Sequence, residues 1–253
     1  MCRTMIDSML ILIAAVFALA GFVKGVLGQG LPTVAIGVLS LVMSPGEGAA
    51  LVVIPALLTN IWQASFGPSL VPLLKRLWPT LLASFVAIFA ATALGLGLLT
   101  PEAAALARKM LGIALMLYGL LGVSRIRLQV PARAETWLGP TLGTANGFVS
   151  AATGVFMFPV IPYIQSLGLS RDDLVQAQGI SFSISSAALM IVVLINGTLN
   201  AGNATASLIA MLVTFVGMFF GQYVRKLIHP DVFRVLFFLG MLALGVHLAF
   251  IHH

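Results

Sequence analysis

The chain has 253 residues, 60% of them hydrophobic and 8% charged, with a mean hydropathy of +1.11. A soluble domain carries roughly 25% charged residues, so this composition excludes a water-soluble globule. The apolar runs do not alternate with the period of two that barrel strands need, so the chain reads as an all-α integral membrane protein whose partner is the lipid bilayer.

The formal net charge of +6 comes from basic residues scattered through short loops, as topology determinants are. No basic stripe with aromatics is present, and no nucleic-acid partner is expected. Cys2 is the only cysteine, so no intrachain disulfide and no thiolate metal site is in view.

Ten apolar segments follow in chain order, at about 9–27, 30–43, 46–66, 78–99, 105–123, 136–152, 154–168, 173–195, 204–224 and 231–251. The first, in "MCRTMIDSMLILIAAVFALAG", runs past any plausible signal cleavage point and reads as a span. A bilayer crossing needs about 20 residues. Segments 30–43 and 154–168 are short for that, and read either as tilted spans or as halves of re-entrant hairpins.

Between the first two segments stands "GFVKGVLGQGLP". Gly25, Gly28 and Gly30 weaken the helix, and Pro32 suits the first turn of a new one. The stretch reads as helix, break, helix. The new N-terminus carries unpaired N–H groups and a positive dipole end, with Lys24 and Gln29 beside it. "NGFVSAATGVFMFP" in mid-chain repeats the pattern with Asn146, Ser150, Thr153 and Gly154, and with Pro159 in place of Pro32.

"GFV" recurs at a separation of 126, from Gly21 to Gly147. The same offset pairs Gly28 with Gly154, Ser44 with Ser170, Glu47 with Asp173 and Gly95 with Gly221. The chain therefore divides into a first membrane repeat, 1–126, and a second, 127–253. Each holds about five segments, an odd number, so the copies are expected to be inverted, with a broken or re-entrant helix opening each.

The third segment of each copy is polar inside. "IPALLTNIWQASFG" holds Thr59, Asn60 and Gln63. "VQAQGISFSISSAA" holds Gln178, Ser181 and Ser185 at i, i+3 and i+7, on one helix face. The offset pairs Thr59 with Ser185 and Asn60 with Ser186. Hydroxyls and amides are suitable donors to sulfonate or carboxylate oxygens. No segment has an acid in its interior, which argues against a carboxylate proton relay. "SRDD" at 170–173 reads as a helix cap.

Basic residues orient the chain. With the N-terminus outside, the loops holding Lys75 and Arg76, then Arg125, Arg127 and Arg133, then Arg171, then Arg225 and Lys226, fall in the cytoplasm. Arg3, Arg108 and Lys109 fall outside, the minority that the positive-inside rule requires. His252 and His253 then end outside. His229, His247, Glu102 and Asp231 have no ligand spacing or read as solvated ends. Trp62, Trp78 and Trp137 fit interface belts.

The two breaks, the "MSPGEGAALVVIP" loop at 43–55, the mid-chain "GFVSAATG" and the "GLSRDDLVQAQGISF" stretch together resemble the TauE/SafE family of sulfite-exporter-type membrane proteins, over nearly the whole chain. The chain has "GQGLP" where the family pattern has "GiGGG". The resemblance implies two multi-span repeats in the bacterial inner membrane and substrates that are small sulfur-containing anions: sulfite, sulfoacetate or other organosulfonates. The expected function is a secondary transporter, an exporter, with Lys24 and the two breaks on the anion and the hydroxyl and amide clusters along its path. The alternatives are an anion or small-solute channel, or a carboxylate transporter. No nucleophile–base pair, metal triad or phosphate loop suggests an enzyme or a cofactor. A homodimer is compatible with the sequence.

Overall fold

The computed structural model describes residues 2–96, 104–124, 129–197, 201–227 and 230–251, and among them it is helical, with no strand. Arg125, Arg127, Glu102, His229, His252 and His253 lie outside the described residues, as do the side chains of Arg3 and Asp231.

The helices are α1 (Cys2–Leu27), α2 (Leu31–Leu39), α3 (Pro45–Ser65), α4 (Leu70–Ala93), α5 (Ala104–Ser124), α6 (Ala132–Thr153), α7 (Val160–Gln165), α8 (Arg171–Ile195), α9 (Ala201–Val224) and α10 (Pro230–Val246), the last continuing as a π-helical turn, His247–Ile251. Seven of them are long and apolar enough to cross a membrane. The protein is a multi-pass membrane protein on these grounds. The 22-residue α6 is not among the seven, because Arg133, Glu135, Thr141, Thr144 and Asn146 lower its hydropathy.

Two expectations need correction. Lys75 and Arg76 are not in a loop: α4 starts at Leu70 and runs through Pro79. The second break is also longer than the first. It extends from Gly154 to Pro159, and α7 has only six residues. A helix that short has little macrodipole, so the picture of two matching helix ends facing one anion does not hold.

The first break is as the glycines demand. Gly28 has φ +76° and Gly30 φ +106°, a region in which a Cβ costs energy. Irregular backbone at membrane depth must be sheltered by protein, and here it is. Of the nine residues of α2, only Val38 escapes full burial. In α7 Val160, Ile161, Tyr163 and Ile164 are buried. The hydroxyl of Thr33, early in α2, donates to the sulfur of Met157, so α2 touches the second break.

Helix pairing follows one rule. α1 packs on α9 as α6 packs on α4, and α3 packs on α9 as α8 packs on α4. α3 pairs with α8, and α5 with α10. Exchanging each helix for the one five places along leaves these pairings unchanged. Glycines let the backbones close. A Cβ on Gly21 would overlap the Thr214 carbonyl of α9, and one on Gly147 would overlap α4 at Ser84, Ala87 and Ile88. α3 and α8 open with the same kind of cap. Glu47 N–H donates to Ser44 Oγ at 3.3 Å, and Asp173 N–H to Ser170 Oγ at 3.2 Å.

Charges gather at one end. Arg76 holds Glu135 through two bonds of 2.9 and 2.7 Å and donates to the Leu167 carbonyl at 3.1 Å. Arg225 lies within electrostatic reach of Arg171 and Asp172. Trp78 and Trp137 are exposed in the neighbouring turns of α4 and α6, where an interfacial belt would place them. At the far end Arg108 donates to the Met43 carbonyl at 3.4 Å. On the sides, Leu208, Leu212, Val216 and Phe220 face outward from α9, as a lipid-facing surface requires.

Candidate functional site

α3 and α8 cross antiparallel, and the polar residues of both meet there. The direction is set by the bonds between them: Asn60 to Ser186, Gln63 to the Val175 carbonyl, and Gln176 to the Ala64 carbonyl. As α3 advances toward the basic end, its partners on α8 recede toward that helix's start.

Lys24, three residues before the end of α1, reaches this crossing. It is 3% exposed. Its ammonium donates to Thr59 Oγ1 at 3.0 Å and to Asn60 Oδ1. Each acceptor is held by its own donation. Thr59 Oγ1 donates to the Pro55 carbonyl at 2.6 Å. Asn60 Nδ2 donates to Ser186 Oγ at 3.3 Å, and Ser186 Oγ donates to the Phe182 carbonyl. Two one-way chains thus start at the ammonium and end on helix carbonyls, and each hydroxyl is oriented by its downstream bond. An ammonium has three N–H bonds. Thr59 and Asn60 take two, and the third is unclaimed among the described residues. No carboxylate there partners the cation. Burying a charge without a counter-ion is costly, so this arrangement has a use for an anion.

Asn60 and Ser186, which touch, are separated by 126 residues, the offset at which "GFV" recurs. The sequence offset pairs them, yet Ser185 was the stronger candidate by its helical spacing. Ser185 is buried but makes no bond to the Lys24 chains.

The other candidates go elsewhere. Gln29, in the first break, accepts from Gln178 Nε2 at 3.3 Å. Gln63 Nε2 donates to the Val175 carbonyl at 2.8 Å. Ser181 Oγ is buried without a partner. Ser150 lies 126 residues after Lys24, and its hydroxyl donates to the Asn146 carbonyl at 2.6 Å. Asn146 Nδ2 donates to Ser84 Oγ at 2.9 Å, and its Oδ1 is buried and unpartnered. Thr153 Oγ1 donates to the Val149 carbonyl at 2.6 Å and accepts from Val155 N–H at 3.2 Å. Apart from Asn146 Oδ1, these three spend their side-chain polar groups on helix packing and on the break itself.

One small apolar cavity lies between the second break and the far-end halves of α3 and α8. Its walls include Ala49, Val53, Ala56, Gly154, Leu189 and Val192. None of Lys24, Asn60, Gln63, Gln178 and Ser185 lines it. Ala56 and Leu189, however, stand one helical turn from the Thr59–Asn60 and Ser185–Ser186 pairs, so the cavity ends one turn from the cation. Gly25 lets α1 close on α9 at Met218 and Gly221, Gly28 N–H donates to the Lys24 carbonyl at 2.7 Å, and the Gly30 carbonyl accepts from Val34 N–H at 2.9 Å.

Neither a curated protein nor a solved structure matches the chain. The family model described as "Sulfite exporter TauE/SafE" matches residues 13–248.

Proposed function

The chain belongs to the TauE/SafE sulfite exporter family, a family of membrane transporters, and from that premise we propose that it exports small sulfur-containing anions, sulfite or organosulfonates, across the bacterial inner membrane. The observation that carries this reading is the ammonium of Lys24: buried, without a carboxylate, held by Thr59 and Asn60, and with one N–H left to give. An anion entering there becomes both its counter-ion and its third acceptor. A charge-assisted hydrogen bond of this kind contributes about 1.5–3 kcal/mol.

The two copies, 1–126 and 127–253, are in this reading inverted repeats about an axis that passes near Asn60 and Ser186. The unchanged helix pairing supports it, as does contact between equivalent positions. The basic end faces the cytoplasm, and both termini lie outside. Direction then has a physical basis. Moving one elementary charge across the membrane is worth about 2.3 kcal/mol per 100 mV, and a negative interior drives a monoanion out without a proton relay.

The reading is tested by thermal shift of the purified protein against sulfite, sulfoacetate, taurine, sulfolactate and simple carboxylates. A ligand of the folded state raises the melting temperature by mass action. Sulfite or a sulfonate should do so in the wild type, and less in Lys24→Met. A shift given by carboxylates alone would assign the protein to that class instead.

A further inference from the structure

The 126-residue offset permits a comparison of the two halves of the molecule at equivalent places. The far-end cavity is bounded by Ala49 and Gly154, by Val53 and Leu189, and by Thr92 and Ala151. Their counterparts lie toward the basic end, and there two of the three pairs are closed, while the first leaves room for a methyl group. Val175 and Gly28 stand for Ala49 and Gly154. A Cβ built on Gly28 would lie 3.9 Å from Val175 Cγ2. Gly179 and Gln63 stand for Val53 and Leu189. A Cβ on Gly179 would sit 3.0 Å from Gln63 Cγ and closer still to the backbone there. Met218 and Gly25 stand for Thr92 and Ala151, and a Cβ on Gly25 would overlap the Met218 carbonyl. Val52, another cavity wall, becomes Gln178, which reaches across to Gln29 at 3.3 Å.

The order along the crossing is therefore fixed. On α3 the cavity residues Ala49–Ala56 come first, then Thr59 and Asn60 on the cation, then Gln63. On α8 the order reverses, from Gln178 through Ser186 to Leu189 and Val192. Lys24 lies between a small apolar cavity on one side and a plug of glutamines on the other. Both glutamines of the plug are buried, Gln29 at 7% and Gln178 at 3% exposure. A neutral amide pair suits a barrier that must part again. It satisfies buried polar groups across the gap without the deep well of an ion pair.

We propose that Gln29 and Gln178, backed by Gln63, form a gate that closes the Lys24 site toward the basic end while the site communicates with the far end. This deepens the transport reading and rests on it. It changes the role of these glutamines from substrate ligands to barrier. The three form the shut half of an alternating pathway whose open half is the apolar cavity.

Thiol accessibility tests it without a substrate. In a Cys2→Ser background, Val53→Cys reports on the cavity. Ser181→Cys reports on the space one turn above Gln178. A membrane-impermeant methanethiosulfonate sulfonate is applied to right-side-out and to inside-out vesicles. Val53→Cys should react from one face. Ser181→Cys should be shielded from the opposite face, and the Gln29→Ala/Gln178→Ala pair should raise its rate from that face about fivefold, the equivalent of one neutral hydrogen bond. Equal Ser181→Cys rates with and without the glutamines would overturn the gate, as would reaction of Ser181→Cys from the shielded face, with both glutamines intact, as fast as Val53→Cys reacts from its own. Should the alanine pair fail to fold, Gln29→Asn/Gln178→Asn shortens both side chains by one methylene, and the same rates decide. Because only thiol chemistry is read, an absent gate leaves anion binding standing, and absent anion binding leaves the gate standing.

Discussion

Lys24→Met keeps the length of the side chain and removes the charge. Thr59 Oγ1 and Asn60 Oδ1 then lose their donor, and an anion loses its counter-ion. We expect affinity for the transported anion to fall by about 1.5–3 kcal/mol, read by titration calorimetry in detergent, with the protein still inserted. An interface anchor would behave otherwise, since a snorkelling lysine touches no ligand. Wild-type affinity in Lys24→Met would reduce the residue to that role. Asn60→Ala cuts one of the two chains and leaves Ser186 without its donor across the helix crossing. It should weaken binding by about 1 kcal/mol and also lower the melting temperature, whereas Ser185→Ala should do neither. At this scale the sequence was readable in part. A lone lysine in an apolar run, beside glycines, was visible, and so was the Asn60–Ser186 offset. What no pattern could carry was that Ser186 rather than Ser185 turns toward Asn60, because side-chain direction depends on how α3 crosses α8. The same holds for Gln63 and Gln178, whose residue types fit a ligand site as well as they fit a barrier.

The elements owe their limits to backbone chemistry. Gly28 and Gly30 hold positive φ, so Gly30→Ala should cost about 1 kcal/mol or more, with crowding against Val23 and Phe237 added. Gly25→Val is expected to be worse, because the new side chain meets the backbone of α9 at Met218 and Gly221. Overpacking of that kind costs roughly 1–3 kcal/mol. The comparison is made by thermal unfolding in detergent, and a Gly25→Val protein as stable as wild type would mean that α1 and α9 stand farther apart. The breaks were legible because Gly and Pro act locally. The lengths of α2 and α7 were not, since a buried apolar run has the same composition whether it is helix or loop. The start of α4 was missed for a related reason. Lys75 and Arg76 read as a loop ahead of the 78–99 segment, but Arg76 is fixed by Glu135 across α4 and α6, and a helix end at the interface accommodates charge.

For the whole molecule, the helix pairing and the collected charges define one basic end. Arg76 and Glu135 join α4 to α6 there, with the Leu167 carbonyl of the α7–α8 link as a further acceptor. Glu135→Arg should destabilise by about 1 kcal/mol, given that the pair is partly exposed. The double variant Arg76→Glu/Glu135→Arg should recover part of that loss, and a double variant no better than the single would deny the pair any role in holding α4 and α6 together. Cysteines placed at Lys75 and Arg133 should react only after permeabilisation of intact cells, and reaction before it would reverse the topology. The all-α membrane class followed from composition alone, and the ten segments from the Gly, Pro and charge between them. The relation between the halves was visible only as a constant offset in glycines and charges. Apolar positions, which make up most of the packing, match too easily by chance to support it.

In the transport reading, Lys24 binds a sulfur-containing anion on its way across the membrane. This is tested most directly by sulfite counterflow in proteoliposomes, using radiolabelled sulfite with the wild type and Lys24→Met side by side. The account predicts saturable counterflow in the wild type and a half-saturation concentration at least about tenfold higher in Lys24→Met, the equivalent of one charge-assisted bond. Flux that neither saturates nor shows counterflow, or identical half-saturation in the two proteins, would contradict it.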